Sequence, residues 1–167
     1  MIKITDELIG AISNKAKLSM RQRCNYNFHN SYGDCIQRFL NALEPDSYIR
    51  PHKHEDPKKT EIFLILKGRV LVIEFDENGQ INDHILLDHD NGKKGVELPP
   101  KIWHSIIAIR EGSVLYELKE GPYVEETDKI FAEWSPEEGT KEAQEYNKKI
   151  LCDLKITTQE KQKEDAK

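Results

Sequence analysis

Between Arg21 and Lys119 the chain is a succession of short strand-like runs, each stopped by a turn signal, and this rhythm limits the fold more than any other feature. Glu77-Asn78-Gly79-Gln80 carries an Asn-Gly pair, whose backbone twist suits adjoining antiparallel strands, so Ile81 to Leu87 is expected to pair with Val70 to Phe75. Ile62 to Leu66 and Val70 to Phe75 are rich in branched and aromatic residues and join through Lys67-Gly68, which predicts another hairpin. Val96 to Leu98 and Ile102 to Ile109 flank Pro99-Pro100, and Ser113 to Lys119 follows the Glu111-Gly112 turn. Cys35 to Leu43 fits strand or helix by period alone; Pro45 and the histidines beyond it favour a strand. The fold class implied is mainly β, a small antiparallel barrel or jelly roll.

The ends differ in character. Thr5 can cap a helix whose first turn holds Asp6 and Glu7 and whose apolar stripe is Leu8, Ile9, Ile12 and Ala16, packed on the outside of the barrel. Pro136 to Leu151 has helix-forming composition, and the sequence beyond Lys155 has almost nothing to bury. The expected division is therefore an N-terminal helical segment (1–20), a barrel (21–135), a C-terminal helix (136–154) and a disordered tail (155–167). A length of 167 residues suits one domain.

Charge and cysteines remove several classes of function. The 25 basic and 30 acidic residues leave a net charge of −5, and no basic run tracks a nucleic-acid backbone, so nucleic acid is not an expected partner. Met1 to Glu7 lacks a signal-peptide core and no apolar run approaches a membrane span, which predicts a soluble, cytoplasmic protein without a membrane partner. Cys24, Cys35 and Cys152 are scattered and form no Cys-x-x-Cys pair, as expected of reduced structural thiols.

The chemistry-bearing residues are His52, His54, Glu61 and His104. Two histidines one residue apart on a strand share a face, and imidazole nitrogens with a carboxylate oxygen suit a borderline divalent metal. On six-coordinate iron, manganese, nickel or zinc, this set would leave open positions for a ligand. A second constellation begins at Arg21. The period of two puts Cys24, Tyr26 and Phe28 on one face and Arg21, Arg23, Asn25, Asn27 and His29 on the other. Guanidinium forks match carboxylate or phosphate and amides match hydroxyls, so this face reads either as a receptor for an anionic, sugar-like molecule or as the solvated face of an edge strand. Gln37 and Asn41 are further substrate-binding candidates, and His29 is the candidate catalytic base. Tyr116 and Glu117 lie on opposite faces of one strand, so at most one looks inward. His84 and His89 are read as ordinary surface histidines.

These residues carry a family resemblance. His52-Lys53-His54, then Glu61 with six residues before Gly68, then Pro99-Pro100-Lys101-Ile102-Trp103-His104 resembles the cupin family. Its first motif is His-x-His, a short spacer, Glu, six residues and Gly; its second is Pro-x-Gly-x-x-His. The gap from His54 to Glu61 is slightly long, and Lys101 stands where the second motif has glycine, which predicts a somewhat different turn there. Arg23-x-Asn25-x-Asn27-x-His29, Gln37-Arg38-x-x-Asn41-Ala42-Leu43-Glu44-Pro45 and Tyr48-x-x-Pro51-His52-x-His54, with Trp103-His104, look like the WbuC-type cupin metalloproteins over about residues 5 to 139. The resemblance implies one divalent metal per chain at His52, His54, Glu61 and His104, and an association with lipopolysaccharide or O-antigen sugar metabolism. The leading expectation is a metal-dependent enzyme, isomerase- or epimerase-like, acting on a sugar, sugar nucleotide or related acid. A non-catalytic metal-containing binding module and an iron-dependent dioxygenase are the alternatives. Pairing of barrels to cover strand edges would make a homodimer.

Overall fold

A computed structural model describes residues 1–157. Helix α1 (Asp6–Leu18) is followed by strands β1 (Arg23–Asn27), β2 (Ile36–Leu43), β3 (His52–Lys53), β4 (Glu61–Lys67), β5 (Arg69–Phe75), β6 (Ile81–Asp88), β7 (Gly95–Leu98), β8 (Trp103–Ala108) and β9 (Ser113–Glu120). A one-turn helix α2 (Glu125–Asp128), strand β10 (Ile130–Phe131) and helix α3 (Lys141–Asp153) complete the order. The strands form two five-stranded antiparallel sheets, β1-β2-β9-β4-β7 and β10-β3-β8-β5-β6. They pack face to face as a jelly roll and do not close into one continuous barrel.

Alternation along each strand builds the layers. Glu61, Phe63 and Ile65 of β4 point inward; Ile62, Leu64 and Leu66 do not. The core between the sheets joins Leu43, Phe63, Ile65, Leu98 and Leu115 of the first to Val70, Val72, Leu87, Ile106 and Ala108 of the second. Each of the larger side chains among these, fully buried, contributes roughly 1.5–3 kcal/mol. Strand β5 is apolar on both faces because Leu71, Ile73 and Phe75 are covered in turn by Ile150 of α3 and its partly buried neighbours Leu151 and Leu154. On the opposite outer face α1 lays Ile9, Ile12 and Ala16 against Leu40, Ala42 and Val114. Thr5 caps α1 by accepting from the Leu8 amide at 3.3 Å.

Several sequence expectations need correction. The Asn78-Gly79 hairpin is present, with β5 paired to β6. Strands β4 and β5, however, do not pair: β4 bonds to β7 and β9, β5 to β6 and β8. Gly68 carries the chain from one sheet to the other at φ 78°, so close to Ser113 that a Cβ would meet its Oγ at 2.4 Å. The first polar strand begins at Arg23 rather than Arg21, because Gln22 takes a left-handed turn at φ 54°. The C-terminal helix begins at Lys141, capped by Thr140, rather than at residue 136. Of the expected tail, residues 158–167 lie outside the described residues. Cys24, Cys35 and Cys152 are free thiols. Among the described residues, no helix is long and apolar enough to cross a membrane.

Candidate metal centre

His52 on β3 sits opposite His104 on β8, His54 follows two residues on, and Glu61 reaches in from the first residue of β4 on the other sheet. All four are at most 3% exposed, and one donor atom from each can be chosen so that the set lies within 4.8 Å of one another. His104 Nε2 is 3.0 Å and His54 Nε2 3.3 Å from Glu61 Oε2.

The backbone decides which nitrogens face the centre. His52 Nδ1 lies 2.9 Å from the Arg50 carbonyl, His104 Nδ1 2.9 Å from that of Ile102, and His54 Nδ1 is hydrogen-bonded to the Asp128 carbonyl. A carbonyl only accepts, so each Nδ1 carries a proton and each Nε2 is the nitrogen left free of the backbone. His54 Nε2 is buried without a hydrogen-bond partner, and Glu61 offers a carboxylate rather than a proton. Three imidazole nitrogens and one carboxylate, all buried and within 4.8 Å of one another, are a donor set that fits a divalent cation. Burial, then the charges of Lys129, His104 and His54, hold His52 well below the ordinary histidine range. Burial opposes ionisation of Glu61, but His104, His54 and Lys119 outweigh it and keep its carboxyl well below the usual range.

The turn before His104 differs from expectation. Lys101 itself adopts the left-handed conformation at φ 72°, donates its amide to the His54 carbonyl at 2.9 Å, and reaches Glu55 at 3.2 Å. The glycine-type turn is kept with a lysine in it, and the bond from the Lys101 amide to His54 ties the two motifs together.

Around the centre lies a polar wall. Across the first sheet the register aligns Gln37 with Lys119 and Glu61, Phe39 with Glu117 and Phe63, and Asn25 with Asn41. Glu117 is the inward residue of its pair with Tyr116, which packs outside against Phe28. Asn41 donates to Glu117 at 2.9 Å; burial and the neighbouring Glu61 carboxylate push the Glu117 carboxyl well above its ordinary range. Asp128 binds Lys59 Nζ at 2.7 Å and Lys119 Nζ at 2.6 Å, all three at most 5% exposed.

This wall bounds a cavity of about 460 Å³. All the sequence-nominated polar residues, Arg21, Arg23, Asn25, Asn27, His29, Gln37 and Asn41, line it together with Glu117, Lys119, Asp128 and Lys129. The four metal-type residues are not among those lining it, but Glu61 is beside Lys119 in the sheet register. Arg21 and Arg23 are not free anion receptors: both clamp Glu138, at 2.7 Å each, and Arg23 also donates to the Tyr48 carbonyl at 2.9 Å. Gln37 donates to the carbonyls of Tyr32 and Asp34. His29 has Nδ1 3.1 Å from the Arg38 amide and carbonyl, and Nε2 without a partner. The sequence reading missed Lys59, Lys119, Asp128 and Lys129. Only Lys119 had a signal, its two-residue spacing from Glu117; Lys59 and Lys129 lie outside regular elements, and Asp128 ends a one-turn helix too short to show a period.

A family model described as Domain of unknown function (DUF6016) matches residues 4–87, half of the chain. The chain belongs to this family. No curated protein matches it. Among solved structures, a mutant of the salicylate 1,2-dioxygenase from Pseudoaminobacter salicylatoxidans, in complex with gentisate, aligns at TM-score 0.53 and 12% identity over 71% of this chain and 33% of that one. The dTDP sugar isomerase from Desulfovibrio desulfuricans G20 aligns at TM-score 0.49 and 14% identity, over 67% of this chain and 69% of that one. KdgF from Halomonas sp. gives TM-score 0.48 and 13% identity, over 62% and 83%. The dioxygenase likeness shows the fold alone: this DUF6016 chain has the cupin-type architecture.

Proposed function

We propose that this DUF6016 chain is a metal-dependent enzyme acting on a sugar, sugar nucleotide or related small acid, with His52, His54, Glu61 and His104 holding one divalent ion. The observation that carries the reading is the tautomer set: backbone carbonyls claim Nδ1 of all three histidines and leave Nε2 to face Glu61 beside a polar cavity. A bound ion would supply Lewis-acid polarisation of a ligand carbonyl. Asn25, Asn27 and Asn41 offer amides for ligand hydroxyls, and the unpartnered Nε2 of His29 can take or return a proton. The WbuC-type resemblance supports placing the substrate in surface-polysaccharide metabolism, and pairing of two copies to cover strand edges would make a homodimer.

Elemental analysis of the full chain purified from metal-replete cells tests the centre: about one ion per chain is expected, lost on His104→Ala. A metal-free wild type sinks the proposal. Incubating the loaded protein with candidate sugar nucleotides and following product by mass spectrometry then separates enzyme from binding module, since saturable binding without product leaves only the module. Oxygen consumption on iron loading would redirect the reading to a dioxygenase.

A further inference from the structure

Arg21, Arg23, Arg50, Lys119 and Lys129 are the arginines and lysines lining the cavity, and all but one are committed. Arg21 and Arg23 share Glu138. Lys119 is held by Asp128, and Arg50 donates to Ser135 Oγ at 3.2 Å and the Ala132 carbonyl at 3.1 Å while lying over the Phe131 ring. Lys129, among the described residues, has no hydrogen-bond or ion-pair partner. It is half-buried between α2 and β10, two residues before Phe131, which pairs with His52. The carboxylates whose charge it feels are taken: Glu61 by His104, Asp128 by Lys59 and Lys119, Glu117 by Asn41. A half-buried ammonium on a cavity wall without a counter-ion is available to pair with an anionic ligand.

Other groups on the same wall are also waiting. Asn41 is 6% exposed and its Oδ1 has no partner, and neither has Nε2 of His29. An amide oxygen accepts, so it calls for a hydroxyl. We propose that Lys129 is the anion-recognition point of this cavity, taking the carboxylate of a small polyhydroxylated acid whose hydroxyl donates to Asn41 Oδ1. A single uncompensated ammonium matches a monoanion. A phosphate dianion would leave surplus negative charge beside Asp128 and Glu61. The inference rests on reading the cavity as a ligand site, and makes Lys129, rather than the Glu138-bound arginines, the residue that selects acids over neutral sugars.

Isothermal titration of the full chain with D-glucuronate, D-glucose and inorganic phosphate, for wild type and Lys129→Met, tests it. Wild type is expected to bind glucuronate more tightly than glucose or phosphate, and Lys129→Met to weaken glucuronate by about tenfold while leaving glucose unchanged. The thermal midpoint of ligand-free Lys129→Met is expected to equal or exceed that of wild type, because no partner is stranded. Equal glucuronate affinity in both proteins, a wild-type preference for phosphate, no wild-type preference for glucuronate over glucose, or a lower midpoint in the ligand-free variant overturns the proposal. Metal content measured on the same samples keeps the two readings apart. Lys129-dependent glucuronate binding to a metal-free chain sinks the metal enzyme alone, and a metal-loaded chain indifferent to Lys129 sinks the anion point alone.

Discussion

Asp128 acts on the candidate centre from two directions. Its carbonyl fixes the His54 ring, and its carboxylate neutralises Lys59 and Lys119, which hold the segment before β4 and the end of β9. Burial works against ionisation of Asp128, but the charge of Lys119 and the bonds from both lysines more than offset it and keep the carboxyl below its ordinary value. Replacing the carboxylate with an amide of the same shape leaves the carbonyl in place and removes the charge. Asp128→Asn is therefore expected to lose about 3–5 kcal/mol of stability by chemical denaturation, since two buried ammoniums lose their counter-ion, yet to retain its metal at temperatures where it is folded. A variant as stable as wild type would show that water, not Asp128, balances those lysines. Lys101 teaches a related lesson: a lysine where the motif has glycine suggests a changed turn, but its amide bond to His54 holds the left-handed backbone against a strain of roughly 1 kcal/mol.

At the scale of elements, the entry to β1 is tied to the segment before α3 by one carboxylate and two guanidiniums. Burial alone would raise Glu138, but Arg21 and Arg23 outweigh it and bring its pKa from 4.5 to about 2. A group whose folded pKa is depressed contributes stability that is complete above 4.5 and lost as pH falls toward 2. Because the Glu138 side chain is 35% exposed, screening reduces the contribution to about 1 kcal/mol. The gap in thermal midpoint between wild type and Glu138→Gln should be open at pH 6 and nearly closed at pH 2.5; a gap independent of pH removes the linkage. This clamp also marks what the sequence could convey. The alternation of Arg23, Asn25 and Asn27 was enough to put them on one face and, through β2, beside Asn41. That Glu138 had claimed the arginines was illegible, since the contact spans more than a hundred residues and Glu138 lies in an irregular stretch. The β4–β5 hairpin failed for a comparable reason. Two adjacent apolar runs joined through a glycine read alike whether they pair or cross between sheets, and only Ser113 packed against Gly68 separates the cases.

On the scale of the whole molecule, the ligand set is divided between layers: His52 and His104 belong to the second sheet and Glu61 to the first. An ion held by both would pin the sheets at the end of the core where polar residues replace Phe63, Ile65 and Val72. Its removal leaves three imidazoles around a carboxylate, with His54 Nε2 unpartnered, so the loss falls on the packing of sheet against sheet rather than on one strand. At a hundredfold excess over the dissociation constant, a bound ion adds about 2.7 kcal/mol. For a domain of this size, that corresponds to roughly 5–10 °C in thermal midpoint. Chelation should lower the midpoint by that amount, restored by the metal found in the purified protein, and hydrogen exchange should quicken together in β4, β8 and β9. Faster exchange confined to β3 and its neighbours would mean that the ion only orders a local loop. The expectation of a joint response rests on Glu61: it is the one member of the quartet on the first sheet, and its neighbours across the sheet are Lys119 and Leu98 on β9 and β7.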